Sequence, residues 1–183
     1  MKIRKKNITR IALATGFILL IPFVAMQFTT EVNWDLSDFI IMGMLLFGTG
    51  LTYELIARRA GRVAYRVAVG LALAAAFLLI WVNGAVGIIG NEGNPANLLY
   101  GGVLAALVIG AAIARFRPRG MERALYATAF AQVLIPVIAL IIWPPSVVSW
   151  GAAGVFGVFI INAIFALLFV VSALFFHRAR VRY

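Results

Sequence analysis

Six long apolar runs dictate what this chain can fold into. They lie near residues 10–28, 38–57, 66–89, 97–114, 123–142 and 154–176. Each is long enough to cross a bilayer core, which is about 30 Å thick and takes roughly 20 helical residues. Lipid offers no partners to backbone N–H and C=O groups, so a lone apolar run of this length crosses as a helix. The composition fits that demand: 64% of the 183 residues are hydrophobic and 12% charged, against about 45–50% and 25% in soluble domains. The expectation is an all-α fold, a polytopic membrane helical bundle of six transmembrane helices forming one integral membrane domain over residues 1–183. Pro22 and Pro136 fall inside runs, where membrane helices tolerate proline at the cost of a kink.

The charges sort by side. Lys2, Arg4, Lys5, Lys6 and Arg10 precede the first run, and Arg58, Arg59, Arg62 and Arg66 separate the second from the third. Arg115, Arg117, Arg119 and Arg123 separate the fourth from the fifth, and Arg178, Arg180 and Arg182 follow the sixth. All 16 basic residues thus fall on one side, while the opposite loops carry Glu31, Asp35, Asp38 and Glu92 and no Lys or Arg. Short basic loops stay in the cytoplasm, so both termini are expected there, in a multi-pass protein of a bacterial inner membrane. Trp34, Trp81, Trp143 and Trp150 fall at the outer interface and Tyr53, Tyr65, Tyr126 and Tyr183 near the inner one, the aromatic belts of that topology. A net charge of +10 could suggest nucleic acid. Segregated in this way it orients the spans and meets anionic lipid at the cytoplasmic face, and no nucleic-acid partner is expected. KIRKK before an apolar run imitates a signal peptide, but the run is about 18 residues against the usual 7–15, and VAM at 24–26 is a poor cleavage site. The first run is read as an uncleaved helix.

Some runs match one another. RIALATGFILLIP (10–22) aligns with RALYATAFAQVLIP (123–136), and IARRAGRVAYRVA (56–68) with IARFRPRGMERALYATA (113–129). Three tandem helical hairpins of about 60 residues would explain the matches, and so would chance similarity between apolar segments.

One polar knot interrupts the oil. In NEGNPAN (91–97) Asn94 suits a helix N-cap, Pro95 the first helical position and Asn97 the first turn, while Glu92 sits in the external loop. The knot is therefore read as a tight outer turn that starts the fourth helix. Asn-Pro-Ala at 94–96 is similar to the aquaporin motif, but aquaporins carry two copies on re-entrant half-helices and this chain has one, in a loop too short to re-enter. The surrounding stretch WVNGAVGIIGNEGNPANLLYGG (81–102) carries Trp81, Asn83, Gly87, Gly90, Glu92, Asn94, Pro95, Ala96 and Asn97. Through these residues it resembles a segment of a family of small, uncharacterised six-span bacterial inner-membrane proteins. Outside this stretch the likeness extends only to hydrophobic outline. It implies a six-span fold and no activity.

Polar side chains at membrane depth are the candidate functional groups. They are Glu54, Asn83, Gln132 and Asn162. The three amides can form one hydrogen-bonded cluster or line a solute path. Glu54, the carboxylate that this reading places inside a span, can carry a proton or pair with Arg58 one turn on, the favourable order for an ion pair. Gly102, Ala106 and Gly110 follow small-x-x-x-small spacing and are expected to let the fourth helix pack closely on a neighbour. Gly84, Gly87 and Gly90 on the third run, and Gly151, Gly154 and Gly157 around the start of the sixth, recur at three-residue spacing. Such stripes serve intrachain packing or a homo-oligomer seam.

Enzyme chemistry finds no foothold. The sequence has no cysteine and only His177 as a histidine, which excludes disulfides, thiolate metal sites, bis-histidine haem and cysteine nucleophiles. No Walker A, H-E-x-x-H or G-x-S-x-G motif occurs. The expectation is a non-enzymatic protein without cofactor, a structural or accessory subunit of a membrane complex, partnered by lipid and by another membrane protein or further copies of itself. The alternative is a small proton-coupled transporter or channel, which the polar groups and the repeat would suit.

Overall fold

The structure is a computed structural model that describes residues 5–58 and 61–181. Lys2, Arg4, Arg59 and Arg182, counted above among the orienting charges, and Tyr183 of the inner aromatic belt lie outside the described residues. The described residues form six α-helices and a short 3₁₀ segment, with no strand. All six spans are long and apolar enough to cross a membrane, and the protein is a multi-pass membrane protein. Its contacts divide the chain into two compact units, Met1–Arg59 and Ala60–Tyr183.

The first unit is a helical hairpin of α1 (Lys5–Ala25) and α2 (Leu36–Ala57). Its antiparallel register can be read from pairs along its length. Phe23 meets Phe39 edge-on at 6.4 Å, Gly43 faces Leu19 and Gly50 faces Ile11, and Asn7 bonds Glu54. A Cβ on Gly50 would come within 2.8 Å of Ile11 Cγ2, so this glycine sets how closely the helices approach. Asp35 starts α2 with a capping box: its carboxylate accepts from Asp38 N at 3.0 Å, and Asp38 Oδ2 accepts from Asp35 N at 3.0 Å.

The second unit holds α3 (Val63–Ala85), the 3₁₀ turn Pro95–Leu99 leading into α4 (Tyr100–Ala114), α5 (Pro118–Ile142) and α6 (Gly154–Val181). Helix α6 packs on both α5 and α3, and α4 packs on α5, whereas α3 and α4, though consecutive, hardly touch. The middle pair is therefore not a packed hairpin. The core follows from helical periodicity. Leu125, Thr128, Gln132, Ile135 and Ala139 of α5 and Val158, Asn162, Phe165, Phe169 and Phe176 of α6 are buried at helical spacing.

Several boundaries differ from those expected. Helix α3 stops at Ala85 and not near 89, because the chain turns at Gly87 with φ +69°, where a Cβ would lie 2.3 Å from Asn91 backbone atoms. Gly87 and Gly90 are consequently loop residues, not part of a helical packing stripe. The freed segment folds inward and buries Ile88 and Ile89. At the opposite end α5 begins at Pro118, five residues before the expected 123, since proline suits the first helical position. The α4–α5 turn puts two side-chain-bearing residues in the left-handed region, Arg115 (φ 49°) and Phe116 (φ 58°). The Tyr65 hydroxyl donates to the Phe116 carbonyl at 2.8 Å and holds that turn. Tyr65 is buried, as is Trp150, whose Nε1 donates to Trp143 O at 2.9 Å. Both rings are core groups and not the interfacial anchors their positions in the sequence suggest.

Candidate functional site

The polar groups expected at depth separate into distinct settings. Gln132 of α5 and Asn162 of α6 come together in the core of the second unit, 0% and 1% exposed. Gln132 Nε2 donates to Asn162 Oδ1 at 2.9 Å, and Asn162 Nδ2 donates both to Tyr100 Oη of α4 at 2.9 Å and to the Val158 carbonyl at 2.8 Å. Three helices are thus joined by one chain of hydrogen bonds.

The direction of this relay is fixed by chemistry. The Val158 carbonyl can only accept, so the Asn162 side chain must turn its NH₂ toward it, which leaves Oδ1 facing Gln132. Gln132 must then offer Nε2, and its own Oε1 is left without a donor among the described residues. A buried acceptor in that state costs about 1–3 kcal/mol. Tyr100 Oη accepts from Asn162 and keeps its own hydrogen available for donation. Thr128, one turn from Gln132, is also fully buried and donates to the Ala124 carbonyl at 2.9 Å.

Asn83 belongs to a different assembly. Its Nδ2 donates to the Asn97 carbonyl at 3.2 Å, and its Oδ1 is buried without a partner among the described residues. Asn97 does more than sit in a first turn. Its Oδ1 accepts from Ile89 N at 2.9 Å, and its Nδ2 donates to Ile89 O at 3.1 Å and Asn91 O at 2.6 Å. One side chain therefore closes the 86–94 loop. Asn94 caps the 3₁₀ turn by accepting from Ala96 N at 3.0 Å, with Pro95 next to it, while Glu92 is exposed. A second loop covers this one. A Cβ on Gly90 would lie 2.4 Å from Ser149 O, and one on Gly151 would lie 2.6 Å from Gly90 O. Backbone meets backbone there.

Glu54 lies in the first unit and finds its partners within it. It pairs with Arg58 one turn away and accepts from Asn7 Nδ2. A second carboxylate, Glu122, escapes a reading that starts the fifth span at 123. It sits near the start of α5, mostly buried, 3.0 Å from His177 Nδ1 and 3.5 Å from Arg180 Nη1 of α6. Pro118 was the sequence signal that could have brought Glu122 into the helix. Arg62, at the start of α3, donates to the Ala179 carbonyl of α6 at 2.6 Å.

The small-residue stripe of α4 splits. A Cβ on Gly110 would come 2.7 Å from Ala124 Cβ, so α4 and α5 touch there, and Ala106 is half-buried. Gly102 is exposed, and a Cβ placed on it would meet nothing within 4 Å among the described residues. The intrachain seam therefore does not run through all three residues. Compared with family models, curated proteins and solved structures, the chain matches none of them.

Proposed function

We propose that this chain is a non-enzymatic accessory or structural subunit of a larger complex in a bacterial inner membrane, with both termini cytoplasmic. The observation that carries this reading is where the relay's bonds go. Gln132, Asn162 and Tyr100 tie α5, α6 and α4 to one another and face a buried core. Such amide bonds act as glue, on average about 0.6 kcal/mol each in a membrane protein. Glu54, bound to Arg58 and Asn7, has a structural use in the first unit. The likeness of residues 81–102 to small, uncharacterised six-span bacterial inner-membrane proteins supports membership of that family and the location. The segregation of basic residues supports the orientation. On it Arg115, Arg117, Arg119 and Arg123, all exposed, would meet anionic lipid headgroups.

The test is purification from native membranes in a mild detergent. A stoichiometric membrane-protein partner is the expected result, and a solitary chain or homo-oligomer would overturn the accessory reading. The orientation is tested by a cysteine in place of Arg119, which should react with an impermeant maleimide only after the cytoplasmic face is opened. One observation favours a second reading, a small proton-coupled transporter or channel: the unpartnered Oε1 of Gln132 midway along α5. Permeation through reconstituted vesicles that Gln132→Leu changes without loss of stability would establish it.

A further inference from the structure

We propose that the core of the second unit holds an internal water molecule at Gln132, bound at a site that combines an unpartnered side-chain acceptor, a free side-chain donor and a main-chain carbonyl without its regular helical partner on one residue. The first acceptor is Oε1, buried and without a donor among the described residues. The second is the Gln132 main-chain carbonyl. In a regular helix it would receive the N–H of residue 136, but that residue is Pro136, which has none and whose ring crowds the same carbonyl. The free donor is the second Nε2 hydrogen, since only the first is directed to Asn162. Pro136 is thus placed one turn after the one glutamine in a span whose amide the relay leaves half used.

The occupant must both give and accept hydrogen bonds, must be small enough for a closed helical core, and must be neutral. Gln132, Asn162, Tyr100 and Thr128 are all uncharged, so a buried ion would meet no counter-charge. Water satisfies each condition, and buried waters characteristically make about three bonds to groups that would otherwise go unpaired. This site does not depend on the accessory reading and would stand with either function.

The chain has two glutamines, Gln27 and Gln132, so uniform labelling with side-chain ¹⁵N-glutamine gives two NH₂ signals from the intact protein in lipid nanodiscs. Gln27 is exposed just after α1 and serves as the control that water contact is detected. The expected result is a Gln132 Nε2–H cross-peak to the water resonance arising from a long-lived contact, retained in Tyr100→Phe and in Thr128→Val. A silent Gln132 beside a responsive Gln27 would overturn the proposal. So would a cross-peak that vanishes in either variant, because the signal would then come from the exchanging hydroxyl and not from water.

Discussion

Asn162 on α6 receives Gln132 of α5 at Oδ1 and presents its Nδ2 to Tyr100 of α4, each at 2.9 Å. Asn162 is the middle member, so its loss strands two neighbours where the loss of an end member strands one. Asn162→Leu should therefore destabilise the protein more than Gln132→Leu, by about 1 kcal/mol for the latter, and Tyr100→Phe should cost least. A double-mutant cycle on Gln132 and Asn162, read from reversible denaturation in detergent, should show coupling of about 0.5–1.5 kcal/mol. Additive losses would mean that the two amides do not interact.

Asn97 makes three bonds to the backbone of residues 89 and 91. Replacement by Ala leaves the N–H and C=O of fully buried Ile89 without partners, which should cost about 2 kcal/mol or more. Asn97→Asp keeps an acceptor for Ile89 N but sets a buried carboxylate oxygen against the Ile89 and Asn91 carbonyls, and should cost at least as much as Ala. Exposed Glu92 provides the contrast, and Glu92→Gln should leave the melting temperature unchanged. If Asn97→Ala melts with wild type, the loop is held by something else.

Much of this fold was legible in the sequence, and the limits have physical causes. Helices in lipid must be long and apolar, so their number can be read directly from hydropathy. Asn94 and Pro95 are legible because capping is local chemistry. Asn97 is not, since its partner Ile89 lies eight residues back and only the turn at Gly87 brings it near. Tyr100 passes as one more apolar span residue until Asn162, 62 residues away, reaches its hydroxyl. Lipid-facing and core-facing positions are both apolar in a membrane helix, so periodicity cannot tell Gly102 from Gly110. Glu122 went unseen because a hydropathy boundary placed it outside a helix that Pro118 in fact begins.

Gly110 and Gly102 should respond oppositely to the same substitution. Alanine gains about 1 kcal/mol over glycine in a helix, and at Gly102 nothing within 4 Å opposes it. Gly102→Ala should be neutral or slightly stabilising. At Gly110 the added carbon would lie 2.7 Å from Ala124 Cβ and 3.4 Å from Ala124 Cα, and overpacking costs about 1–3 kcal/mol. Gly110→Ala should therefore destabilise, and adding Ala124→Gly should cost less than the two changes separately. Equal melting temperatures for Gly102→Ala and Gly110→Ala would remove the α4–α5 contact from the account.

Asp35 offers a pH-dependent handle outside the spans. Ser37 Oγ donates to its carboxylate at 2.5 Å and Asp38 N at 3.0 Å, and these bonds hold its pKa below the ordinary 3.8. A carboxylate with a lowered folded pKa contributes fully above its ordinary value and loses that contribution as pH falls through the folded one. The cap of α2 should accordingly hold down to pH 3.8 and release below it. Titration of the Asp35 carboxyl ¹³C should show a midpoint under 3.8 that rises in Ser37→Ala, since Ser37 is the largest cause of the shift. A midpoint at or above 3.8 in the wild type contradicts the capping geometry.

Glu54 tests the structural reading against proton coupling. Its carboxylate pairs with Arg58 and accepts from Asn7 Nδ2, joining α2 to α1. Glutamine keeps an acceptor for Asn7 and gives up the ion pair, so Glu54→Gln should cost only the ~0.2–0.5 kcal/mol of an i,i+4 pair. Glu54→Leu removes both bonds and should cost about 1 kcal/mol more, the scale of one net hydrogen bond. A proton carrier obeys a different rule, because it must gain and lose a proton in each cycle, which Gln cannot do however well it folds. Wild type and Glu54→Gln should therefore behave alike in vesicles under an imposed pH gradient, with stability following the order Glu, Gln, Leu. A gradient-driven flux present in wild type and absent in a well-folded Glu54→Gln protein would show instead that this carboxylate works by titration.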